Sequence, residues 1–124
     1  MSCEVLDIKK EYENLSSAAK KVWEEKSAAL NEVVRELGLT NKQKEAIMQR
    51  CMATLVYQDL VKTNEYLSRT GELFSQRKIN KNKLEMQRVS RVYKDHEQIV
   101  KSFEPEVSRE LREKEQERKK NQNR

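Results

Sequence analysis

Apolar residues recur along the first third of the chain in steps of three and four: Val5, Ile8, Tyr12, Leu15, Ala19 and Val22, then, past a polar gap at Lys26, Ala29, Val33 and Leu37. A 3.6-residue turn brings such positions onto one face, so the spacing predicts one amphipathic helix over about 4–37. Gly38 follows as a left-handed C-cap, with Leu39 able to fold back on Val34. Thr40 and Gln43 stand at capping-box spacing, which starts a second helix at once. That helix, over about 41–70, carries Ile47, Met48, Cys51, Met52, Leu55, Val56, Leu60 and Leu67 before Gly71. A third series opens with Leu73 and Phe74, weakens through the polar stretch 76–83, where fraying or a break is expected, and resumes as Met86, Val89, Tyr93, His96, Val100, Phe103 and Val107. It predicts a helix over about 72–103.

Gly38, Gly71 and Pro105 divide the chain into segments of nearly equal length. Matched lengths and short turns suit an up-down-up arrangement. The fold expected is therefore all-α, with long amphipathic helices forming an antiparallel coiled-coil hairpin or an elongated three-helix bundle over residues 1–111. A competing layout runs straight through Gly71, because glycine costs only about 1 kcal/mol inside a helix. Glu104 before Pro105 favours a stop, with Pro105 opening a new helix. Beyond Leu111 no apolar residue remains, and residues 112–124 read as a charged, solvated tail, helical or frayed.

Composition narrows the function more than the fold. Charged residues make up 38% of 124 positions and hydrophobic ones 35%, so the apolar stripe is thin. Ordering the backbone costs roughly 1–2 kcal/mol per residue, which favours pooling apolar faces between subunits. No apolar run approaches the roughly twenty residues of a membrane-spanning helix, and no signal peptide is read. Two cysteines, Cys3 and Cys51, make no disulfide framework, which points to a reducing, intracellular setting in cytoplasm or nucleus.

Chemistry has little to work with. The one histidine, His96, and Cys51 are the only conceivable dyad, and a small core thiol beside a polar seam residue is the plainer account. Zinc wants four closely spaced ligands, and phosphate loops want clustered glycines; neither pattern occurs. The sequence thus assigns no catalytic, cofactor-binding or metal-ligating residue, and the expectation is a non-enzymatic protein.

Two surfaces remain as candidates. The seam of Met86, Val89, Tyr93, Val100, Phe103 and Val107 is expected to hold partner protein subunits by helix packing, in homo- or hetero-oligomers, with hetero-oligomers favoured. The segment 77–94 sets Arg77, Lys78, Lys81, Lys83, Arg88, Arg91 and Lys94 against a single acid, Glu85, and so offers itself to an acidic polymer: nucleic acid, a microtubule surface or an anionic membrane. Trp23 is expected in the core, while Tyr57 and Tyr66 become partner contacts if exposed. In general form the chain is similar to coiled-coil subunits of cytoskeletal, kinetochore, ciliary, meiotic and vesicle-tethering assemblies, a similarity of architecture that carries over no residue.

Overall fold

Some helix boundaries have a local chemical cause and others a distant partner. In the computed structural model, which describes residues 4–71 and 73–122, there are four helices and no strand among the described residues: α1 Ile8–Asn14, α2 Ser17–Leu37, α3 Asn41–Thr70 and α4 Ser75–Gln122. The α2–α3 turn follows the expected chemistry. Gly38 adopts φ 66° and its N–H closes on the Val34 carbonyl at 2.9 Å. Thr40 and Gln43 then exchange reciprocal hydrogen bonds of 3.1 and 3.0 Å as a capping box. Gly71, at φ 61°, ends α3, so the layout that runs through this glycine is not adopted.

The single helix expected over 4–37 is instead an extended segment, the short α1 and α2. Asp7 caps α1, accepting from the Lys10 N–H. The chain then leaves the helix at Leu15 and Ser16, whose ψ angles are 151° and 160°. Asp59 of α3 holds this kink, accepting from the Ser16 N–H at 2.8 Å and from its hydroxyl at 2.9 Å, while the same hydroxyl oxygen accepts from the Ala19 N–H and caps α2. The kink also rephases the apolar face: Ala19 and Trp23 are buried, whereas Val22 and Ala29 are exposed.

Past Gly71 the departures run the other way. The polar stretch 76–83 is helical, and α4 continues without interruption through Pro105 to Gln122, 48 residues or about 72 Å. The stop expected at Glu104 is not found, and the tail as far as Gln122 takes the helical of its two expected forms. Pro105 cannot donate to the carbonyl at Lys101, but both residues lie on the exposed face, where water can serve that group. On the opposite face Phe103, Val107 and Leu111 are buried or half-buried. Further on, Lys114 donates to the Glu36 carbonyl and Arg118 pairs with the Glu36 carboxylate, tying the tail to the end of α2.

The most extensive helix packing is between α3 and α4, whose contacts pair rising with falling residue numbers: Asn64 lies by Asn82, and Arg50 by Glu104. Met52 and Ala53 from α3 meet Val89 and Val92 from α4, all four fully buried. Leu6, Leu15, Ala19 and Trp23 close over this cluster from the N-terminal side. A second, smaller cluster near the α2–α3 turn joins Ala46 to Val100 and Phe103. At the Gly71 end a polar contact replaces apolar ones: Asn64 accepts from the Asn82 amide at 2.9 Å, and its own amide faces the Ile79 carbonyl. A polar pair in a helix seam specifies register, since sliding by a turn would leave both amides among apolar neighbours. Met52→Ala should cost about 2–5 kcal/mol of unfolding free energy, measured by urea denaturation, because the site is closed on all sides and a cavity would remain.

Candidate functional site

The seam predicted to bind partners is occupied by the chain itself. Val89 is fully buried against α3, Val100 and Phe103 form the second cluster, and Val107 packs at its edge. Tyr93 is half-buried, its hydroxyl donating to Glu97 at 3.3 Å, and Met86 lies half-buried near Asn64. Val89, Val100 and Phe103 are buried in the chain's own core, while Met86, Tyr93 and Val107 remain half-buried at its edge.

The seven basic residues also separate. Arg88 faces Glu4, Glu11 and Glu85, and Arg91 approaches Glu4. The Arg88 guanidinium donates to Glu85, which holds that carboxyl below its ordinary pKa against the opposing pull of burial. The Glu85 contribution to stability is therefore present at neutral pH and is lost as pH falls through the lowered value. Lys83, Arg91 and Lys94 line a shallow cleft with Tyr57, whereas Lys81 and Arg88 line a different one beside α1. Arg77, Lys78 and Lys81 are exposed on the first turns of α4 and make no ion pair among the described residues. One continuous cationic stripe is not formed.

Cys51 and His96 do not join. His96 is buried, with Nδ1 donating to the Val92 carbonyl at 2.8 Å, and no hydrogen bond links it to Cys51. Burial pushes the Cys51 thiol pKa up, while the positive charges of Lys26 and Arg50 pull it back. No group of three or more His, Cys, Asp or Glu able to hold a metal ion occurs among the described residues, and none of their helices is long and apolar enough to cross a membrane.

Two features that periodicity did not reveal stand out. The first is a strap. Residues 4–7 run extended across α3 and α4, with Leu6 inserted into the main core. Gln49, itself buried, holds the strap by its backbone: its Oε1 accepts from the Leu6 N–H at 2.7 Å and its Nε2 donates to the Leu6 carbonyl at 2.9 Å. Glu4 adds the contacts to Arg88 and Arg91. A glutamine inside an apolar helix face was the only sequence sign of this clamp.

The second is an open groove of about 470 Å³ between α2 and α3, lined by Trp23, Leu30, Ile47, Met48, Cys51 and their neighbours. Its charged lining residues are Lys26 and Arg50. Along the C-terminal half of α2, Leu30, Val33, Val34 and Leu37 follow the helical spacing i, i+3, i+4, i+7, are half-buried, and belong to neither core cluster. Ser27, on the groove wall, buries a hydroxyl with no hydrogen-bond partner. These apolar side chains are left incompletely covered by the fold.

Comparison of the chain with protein-family models, with curated proteins and with solved structures finds no match. Gln49→Leu keeps the volume and removes both strap hydrogen bonds. It should lower stability by about 1–3 kcal/mol, the cost of stranding a backbone N–H and carbonyl. Limited trypsin digestion should then cleave at Lys9 and Lys10 faster than in the parent chain, with α3 and α4 still intact.

Proposed function

We propose that this chain is a non-catalytic assembly subunit that receives an amphipathic helix of another protein along the open face of α2 and α3. The supporting observation is the row Leu30, Val33, Val34 and Leu37, an amphipathic face that the two core clusters leave unclaimed. In this reading α3 and α4 form an antiparallel hairpin, α1 and the first half of α2 complete a short bundle on it, and the partner supplies the helix missing from the other half. Helix-in-groove docking gains from burying such side chains, each worth roughly 1.5–3 kcal/mol when fully covered. Lys26 on the groove wall favours a partner helix with an acidic residue beside its apolar stripe, while Arg50 there already faces Glu104. A hetero-oligomer fits better than self-pairing, since a second copy of this face would bring the same cations.

The acidic-polymer alternative has less support. Arg88 and Arg91 are engaged by carboxylates, and Lys81 lines a different cleft from Lys83 and Lys94. The seam residues Val100 and Phe103 would act only through the fold, because a glutamate at either position enters the chain's own core.

Leu30→Glu with Val34→Glu tests the proposal. Both positions are half-buried, so the variant should stay helical and lose only about 1 kcal/mol of stability per site. Affinity purification from native cells should return partners in fixed stoichiometry with the parent chain and lose them with the variant. Partners held equally by both would place the interface elsewhere.

A further inference from the structure

Three of the most exposed large apolar side chains gather at one end of the molecule, while a fourth, Leu84 at 68%, lies farther along α4. Leu73 and Phe74, in the turn between α3 and α4, are 90% and 70% exposed, and Tyr66, one turn before the end of α3, is 67% exposed. The turn is short: Gly71 ends α3 in the left-handed conformation and α4 starts at Ser75. Its first backbone contact into α4 is the Lys78 N–H to the Phe74 carbonyl at 3.4 Å. Around it stand Arg69, Arg77, Lys78 and Lys81, all exposed, and between residues 66 and 81 the sequence holds a single acid, Glu72.

We infer that this turn is a membrane-docking tip, which inserts Leu73 and Phe74 at the headgroup and acyl boundary of an anionic phospholipid bilayer while Arg69, Arg77, Lys78 and Lys81 meet the lipid phosphates. Two apolar side chains alone hold a protein on a bilayer weakly, and a basic cluster alone does so through a screened field; stable peripheral attachment takes both signals, and both are present here. A protein interface is the poorer fit. A single turn offers far less than the roughly 800 Å² per partner of a stable interface, and clustered Lys and Arg are expelled from interface cores. Nucleic acid would satisfy the cations but leave Leu73 and Phe74 in water. The tip lies at the opposite end of α3 from the α2–α3 turn, so the surface is separate from the groove proposed for a partner helix and neither depends on the other.

Flotation of the full chain with phosphatidylcholine vesicles, made with and without phosphatidylserine, decides the matter. Binding should require phosphatidylserine and weaken in high salt. Leu73→Ser with Phe74→Ser should abolish it with circular dichroism unchanged, since neither side chain is in the core, and Arg77→Ser with Lys78→Ser should weaken it by roughly tenfold or more. In a Phe74→Trp variant the tryptophan emission should shift to the blue on adding phosphatidylserine vesicles. Absence of vesicle binding, or binding undiminished by the Leu73 and Phe74 substitutions, overturns the inference. So does a tip that exchanges vesicles for DNA or RNA with equal affinity.

Discussion

The close approach of α3 and α4 is the contact on which the remainder of this fold rests. Alanine at positions 46 and 53 of α3 leaves room for the side chains of α4, and Val89, Val92 and Val100 are closed off from water. Every other element is attached to that pair. The strap is held to it by Gln49, the start of α2 by Asp59, and Trp23 closes the cluster it creates. A chain with so many charged residues has few apolar groups to distribute, and concentrating them between two helices leaves the second half of α2 thinly covered. The groove and the stability of the α3–α4 pair are therefore two consequences of one distribution of side chains.

What the sequence made legible were the features whose chemistry is local. Gly38, Thr40 and Gln43 define a turn within six residues, and both the glycine conformation and the capping box follow from residue identity alone. Gly71 stops a helix for the same reason. The kink at Ser16 was hidden because its partner, Asp59, is 43 residues away, and nothing about Leu15 and Ser16 forbids helix. The Gln49 clamp on Leu6 spans the same separation. Asn64 and Asn82 read as polar interruptions on two helices and become a register device only when those helices are laid side by side.

The surroundings of the candidate residues were hidden for a related reason. Periodicity identifies an apolar face but not what covers it, and the clean seam from Met86 to Val107 is clean because α3 packs along it. The face left over is less regular in sequence, interrupted by Lys26 and Ser27, and its phase is set by the kink. Charge behaved similarly: the run from Arg77 to Lys94 is dense in the sequence, yet helical rotation and the acids of the strap and α1 divide it. At the turn beside Leu73 and Phe74, exposed cations and strongly exposed apolar groups coincide.

Amide hydrogen exchange on the isolated chain, resolved residue by residue, addresses the central claim most directly. If α3 and α4 carry the fold while the second half of α2 awaits a partner, the slowest amides should lie in 46–56 and 89–103, opening only with global unfolding, and those of 28–37 should exchange through local opening well before them. Protection of 28–37 equal to that of the α3–α4 pair would contradict the account, since α2 would then be as firmly held as the helices said to hold it.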